Sequence, residues 1–362
     1  MEYLFVGSGS IAFFLLVLVL GKRNKSRADY ALISIIFCLM LYFLGLFILN
    51  SDQGDFTVLE KLLLEFNEVS IFLYGPLMWY YTLFLTELKP KMKKQNYIHF
   101  APFILTLLYL WIKVLTGTET TSSLRNALLI LKLVSILTYL ILILRLLRRH
   151  DLRIRNYFSN LDNKKLHWLK FLTVGILIIL IIASTSLLID RFTSLSLPQF
   201  GGLPSNIALA VFIFILGYYG LRQDFIFKDL DSATFKNEKY SKSSLTINTA
   251  KEEFLKLQNY MKLEKPYMEP ELNLDSLAMV LDLHPNKLSQ IINSNTDSNF
   301  WDYVNSYRIE EVKTLLVSDQ LKYKTLLGIA LSSGFSSKST FNRVFKKHCG
   351  ITPSEYIKEG KQ

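Results

Sequence analysis

Cysteine is scarce in this sequence. Cys38 stands in an apolar run and Cys349 in a basic stretch, so no disulfide framework or thiolate metal site follows from them. The five histidines (His99, His150, His167, His284 and His348) form no ligand-spaced pair, so neither a metal nor another cofactor is expected. No paired aspartates, Ser/His pair or metal-spaced set falls at matching depth in two apolar runs, which argues against an enzyme. The first apolar run follows no basic cluster and ends without a small-residue cleavage site, so it reads as a retained span rather than a cleaved leader. Apolar residues are abundant, at 51% against 20% charged.

Charge divides the chain. Residues 1–221 carry 21 Lys+Arg against 12 Asp+Glu, a net of +9; residues 222–362 carry 20 against 18, a net of +2. Apolar content falls past Leu221. The first part holds seven apolar stretches, near 3–20, 30–49, 69–86, 97–115, 124–144, 168–189 and 204–221. Each is close to the roughly 20 residues needed to cross hydrocarbon as a helix. A soluble core would show amphipathic stripes instead.

The loops then set an orientation. Segments 21–29, 87–96 and 145–167 are rich in Lys and Arg, whereas 50–68 has one basic residue against five acids, 116–123 has none, and 190–203 has only Arg191. Basic loops stay in the cytoplasm. The pattern predicts a multi-pass protein of the inner (cytoplasmic) membrane, with its N-terminus outside and residues after 221 inside.

Four features of this part are candidates for signal reception. Tyr74-Gly75-Pro76 lies in the third span, where proline removes a helix hydrogen bond, and Gly75 and Pro76 form either a static kink or a hinge. Lys132 lies inside the fifth span, where a charge is costly and either snorkels outward or takes a partner. Glu68, Asp190, Arg191 and Asn206 lie near the outer ends of neighbouring spans and are candidates, with Lys132, for an unknown signal ligand. Segment 56–66 has helical apolar spacing and fits a surface helix or a cap on the bundle.

Residues 222–265 read as a cytoplasmic linker that ends in an amphipathic helix over 250–264. Residues 266–362 read as short helices. Asn273 or Asp275 can cap the first, which carries Leu274, Leu277 and Ala278, and the next starts near Pro285. That helix shows Asn286, Lys287, Ser289, Gln290 and Asn293, short donors and acceptors suited to base edges and phosphates. A longer helix over 299–317 follows, and then the pattern returns. Leu326, Ile329 and Ala330 form a helix, Gly334-Phe335 a turn, and Ser336 can cap a helix with Phe341, Val344 and Phe345 inward. Ser337, Lys338, Thr340, Asn342, Arg343, Lys346 and Lys347 lie on its other sides. Two helix-turn-helix units joined by one helix suit two major-groove segments of double-stranded DNA. Residues 266–362 are neutral overall, yet six cations and no acid fall between Gln320 and Ser354, so the second unit supplies most phosphate contacts.

The run IALSSGFSSKSTFNRVFKKHCGITPSEYIK (329–358) resembles the signature of AraC-type transcription regulators. LNLDSLAMVLDLHPNKLSQIIN (272–293) is similar to their first helix-turn-helix, and FWDYVNSYRIEEVKTLL (300–316), with Arg308, to their connecting helix. The resemblance implies sequence-specific DNA binding as a homodimer, control of nearby promoters, and RNA polymerase as a candidate partner. YGPLMWYY and GYYGLRQ resemble the seven-span modules of some bacterial regulators of this kind. The expected protein is all-α: a seven-helix bundle in the lipid bilayer (1–221), a linker (222–265) and a cytoplasmic double helix-turn-helix domain (266–362). The alternative is a transporter or receptor with a regulatory helical tail. Two routes stay open for the regulator, tethered action and release by cleavage near 222–249.

Overall fold

The computed structural model of the protein describes residues 2–51, 56–87, 90, 94–118, 121–162, 164–176, 178, 203–232, 247–317 and 323–359. The described residues are helical with turns and loops. One isolated antiparallel bridge, Phe158 with Asn273, is the sole β-type pairing among them. The chain forms two compact units, Met1–Arg148 with Leu166–Ser232, and Arg149–Lys165 with Ala233–Gln362.

The first unit contains α1 (Glu2–Leu20), α2 (Arg27–Asn50), α3 (Val58–Val69), α4 (Ile71–Thr86), α5 (Ala101–Thr116), most of α6 (Ser122–Tyr157), helical residues 167–176, and α7 (Leu203–Ser232). Ser26 stops the chain from fraying at α2. Its hydroxyl accepts from Asp29 N (3.2 Å) while Asp29 Oδ2 accepts from Ser26 N (2.8 Å), a reciprocal cap of a kind worth about 1 kcal/mol. Lys22 ties the same carboxylate to the carbonyl of Gly220. The core between α1, α2, α4 and α7 includes Val19, Leu32, Ile36, Tyr81 and Leu216. The outward faces are apolar too: Leu105, Leu115, Ile130 and Phe14 are 61–70% exposed. Exposed apolar side chains of this size are unfavourable in water and are accommodated by hydrocarbon.

Among the described residues, four helices are long and apolar enough to cross a bilayer, over Tyr3–Leu20, Arg27–Asn50, Gln95–Thr116 and Asn126–Tyr157; the α3–α4 pair, bent by 55°, would make a fifth. The expected count of seven is not reached among the described residues. Most of span 168–189 lies outside them, and the apolar Ile207–Arg222 is short. The 55° bend falls between Val69 and Ile71, whereas Pro76 sits inside α4. Gly75 serves close packing, since a Cβ there would lie 2.5 Å from the Tyr139 ring. The expected helix over 56–66 is α3. Thr57 and Glu60 cap it reciprocally, and it packs on α5 through Phe66–Phe103 and the Lys113–Glu65 ion pair.

The second unit comprises α8 (Ile247–Leu263), α9 (Leu274–Val280), α10 (Pro285–Thr296), α11 (Phe300–Val317), α12 (Leu326–Ser332), α13 (Lys338–Cys349) and α14 (Pro353–Glu359). Asn273 caps α9, His284 caps α10 and Thr325 caps α12. Ser337, not the expected Ser336, caps α13, its hydroxyl accepting from Thr340 N (3.3 Å). The first core is built from Leu257, Met261, Leu277, Ala278, Ile292 and Val304. In the second, Phe335, Phe341, Phe345 and Tyr356 meet edge to face in series. Helix α11 packs against α10, α12 and α13 and so joins both cores.

The structure divides the chain differently from the sequence in two places. Residues 149–165 belong with the helix-turn-helix unit rather than with the apolar bundle. In addition, the first residues of the expected linker, up to Ser232, continue α7 as helix.

Arg308 of α11 is buried, and its guanidinium donates to carbonyls: Nε to Tyr267 (2.7 Å), Nη2 to Glu269 (2.8 Å) and Nη1 to Ser159 (3.2 Å). Burial pulls its pKa down to about 10, against the pull of Glu271 and Glu269, which leaves it charged at neutral pH. Gly334, with φ +92°, closes the second turn over the same spot, where a Cβ would lie 2.2 Å from Tyr267 O and 2.9 Å from Arg308 Nε.

Gly334→Ala is therefore expected to destabilise this unit by about 2 kcal/mol or more, since left-handed strain alone costs about 1 kcal/mol. Gly350 (φ +81°) has open space around it, and Gly350→Ala should cost only that strain, about 1 kcal/mol. Pulse proteolysis of the detergent-purified full chain in urea checks the order. Equal losses for the two variants would contradict this account of the turn.

Candidate DNA-binding surface

Each helix-turn-helix presents its second helix, α10 or α13. On α10, Asn286, Gln290 and Asn293 are exposed and Lys287 and Ser289 half-buried, while Leu288, Ile291 and Ile292 face the core. On α13, Lys338, Asn342, Arg343, Lys346 and Lys347 are exposed. The amphipathic split expected of both helices is present. The cations concentrate on α13, and Lys287 is the single one on α10.

Four residues on α13 and its cap are less free than their spacing implies. Lys347 pairs with Asp302 of α11, and Arg343 and Lys347 approach the Trp301 ring at 5.8 and 5.6 Å. Thr340 is buried, and Ser337 is half-buried. Both hydroxyls, with that of Ser336, donate to one carboxylate. Ser336 Oγ and Ser337 Oγ lie 2.6 and 2.8 Å from Asp162 Oδ2, and Thr340 Oγ1 lies 2.8 Å from Oδ1. Burial alone would push the Asp162 carboxyl up. The three hydroxyls and nearby Arg343 outweigh it and hold the carboxyl below its usual range, so it is ionised throughout the neutral range.

Asp162 sits on the segment 149–165, which is anchored along its length. Ser159 N donates to Leu272 O (3.1 Å), Asn160 Nδ2 to Glu271 Oε1 (2.6 Å) and Lys164 Nζ to Glu271 Oε2 (2.9 Å). Arg155 lies 5.6 Å from the Trp301 ring, on which Arg343 and Lys347 also converge. Lys165 is pulled below the usual lysine range by burial and by Arg343 and Arg155.

The first unit holds a separate cavity of about 970 Å³. Its walls are mostly apolar, with Lys132–Glu68 and Lys113–Glu65 ion pairs on its lining. Lys132 thus has a partner, one of the residues named with it. Asp190 and Arg191 lie outside the described residues, as does the Asn206 side chain. The carboxamide oxygen of Asn67, also on the lining, is buried without a hydrogen bond. The spacing of the sequence did not reveal Asn67, Glu65 or Asp162.

Two helix-turn-helix folds on one connecting helix, each offering a polar second helix, define a DNA-binding module. A helix-turn-helix domain family matches residues 277–359. The probable transcription factor PqrA of Proteus vulgaris is 33% identical over 89 residues, 25% of this chain and 70% of that protein. The uncharacterized HTH-type transcriptional regulator YtdP of Bacillus subtilis is 38% identical over 88 residues, and the melibiose operon regulatory protein of Escherichia coli 31% over 91. The chain spans 11% and 29% of those two proteins, and they align with 24% and 25% of it. The chain belongs to the AraC-type helix-turn-helix transcription regulators.

Lys346→Ala is expected to weaken binding to every duplex alike and to lower the salt slope of log K by about 1. Asn342→Ala and Gln290→Ala should instead alter base preference, by about 1–3 kcal/mol at a few positions. Titrations of duplexes at several salt concentrations separate the two classes. A uniform loss for all three variants would remove the base-reading role.

Proposed function

We propose that the chain is a membrane-anchored, one-component transcription regulator: an apolar bundle receives a signal and the helix-turn-helix unit reads promoter DNA in the cytoplasm. The observation that carries this reading is the union in one chain of a double helix-turn-helix with helices long and apolar enough to cross a bilayer. The alternation of basic and acidic loops supports an outer N-terminus, an odd number of spans, seven by the apolar runs, and an inner C-terminus. Pairing of two chains on a promoter, with RNA polymerase nearby, follows the habit of the family. No step calls for catalysis.

The cavity is the proposed seat of the signal. Apolar walls with charged pairs on one lining fit an amphiphile, an apolar body carrying a polar or zwitterionic end. Lys132→Met would leave Glu68 without its cation. It should shift promoter-reporter output several-fold while the protein still inserts; unchanged output would take the cavity out of signalling.

A compartment reporter fused after Gln362, combined with genome-wide mapping of DNA bound by the full chain, tests the whole reading. The expectation is a cytoplasmic reporter and enrichment at discrete promoters. An external reporter, or DNA recovered without any enrichment, would overturn it.

A further inference from the structure

We infer that residues 149–165 are an intrachain partner of the reading helix α13 and compete with DNA for its N-terminal surface, with Asp162 standing where a backbone phosphate would bind. The inference rests on the DNA-reading role of α13.

The first turn of a recognition helix is the part that enters the groove and meets bases and phosphates. Its unpaired N–H groups and positive dipole end favour an anion. Here that turn is already served. A carboxylate accepts from Ser336, Ser337 and Thr340 at 2.6–2.8 Å, and the Ser336 hydroxyl is also 2.9 Å from Asn160 Oδ1. A DNA phosphate approaching the same hydroxyls would meet both an occupied donor set and a fixed negative charge. Repulsion at that range adds to the loss of the donors.

The seat is built for release as well as for binding. Asp162, Asn160, Lys164 and Glu271 hold the segment down, but Lys165 lies close enough to Arg343 and Arg155 for their charges to depress its proton affinity. Of these cations only Arg343 lies across the contact, where it repels Lys165 and attracts Asp162, so the seat is held by opposed charges. The segment begins as the last turns of α6, whose residues up to Arg148 belong to the apolar bundle, and leads through Leu166 into helical residues 167–176 of that bundle. A shift of those two helices is therefore delivered to Asp162 through the chain itself, with no ligand needed at the DNA-binding unit. This coupling needs neither cleavage at 222–249 nor a change in the linker.

The test is fluorescence anisotropy of a mixed-sequence duplex titrated with the full chain in detergent micelles, helical content being matched by circular dichroism. Asp162→Ala and the near-isosteric Asp162→Asn should bind about tenfold or more tightly than the unaltered chain, because the charge-assisted hydrogen bonds that seat the segment on α13 are lost or weakened. Asp151→Asn makes the same charge change on the same segment but takes no hydrogen bond from α13, and should leave affinity unchanged. Equal affinities for the unaltered chain and both Asp162 variants, with Lys346→Ala still weakening them all, would overturn the inference and leave DNA reading intact. Equal gains for Asp151→Asn and Asp162→Asn would reduce the effect to net charge and overturn it too. No binding by any variant would remove DNA reading, and the inference with it.

Discussion

The guanidinium of Arg308 holds the DNA-binding unit together. It lies buried in the helix shared by the two helix-turn-helix folds and donates to the carbonyls of Tyr267, Glu269 and Ser159. A buried cation is tolerable only when its donors are satisfied, so these backbone segments are constrained to one arrangement around it. Gly334 belongs to the same constraint, because only a residue without Cβ lets the second turn close against Tyr267 O. Removing the side chain would take from Tyr267 O its donor, while Glu269 O would keep Leu272 N and Ser159 O would keep Asn305 Nδ2, and a buried carbonyl without a donor costs about 1–3 kcal/mol.

One of the three carbonyls comes from residue 159, far from the rest in sequence. Segment 149–165, the middle of a basic loop that the charge pattern expects in the cytoplasm, therefore has a second task. It enters the DNA-binding unit, pairs with Asn273 and Leu272, and ends with Asp162 on the first turn of α13. The near-neutral charge of the C-terminal module is consistent with this. The cations of its two second helices are concentrated on α13, and Asp162 is placed at the start of that helix.

Much of this architecture is legible in the sequence because it is set locally. Period-3.6 apolar spacing, Asn273 before Leu274, Pro285 at a helix start and Gly350 after Cys349 each mark an element within a few residues. The outward-facing polar residues of α10 and α13 follow from the same period. Adjacent serines are harder, since Ser336 and Ser337 offer the same hydroxyl and only backbone geometry makes Ser337 the cap. Lys132 is conspicuous as a charge in an apolar run, and its pairing with Glu68 rests on a contact across 64 positions. Asp162 carries no local signal at all. Its donors lie 174–178 positions away and look like ordinary helix-start residues. The 55° bend at Ser70 likewise carries no proline to mark it, and Pro76 stands inside α4.

The most direct measurement is a structure of the full chain bound to duplex DNA. The account predicts α13 entering the major groove by its first turn, with Asp162 withdrawn from Ser336, Ser337 and Thr340 and Arg308 still on its carbonyls. DNA bound while Asp162 keeps those three hydroxyls, or held away from α10 and α13, would contradict it.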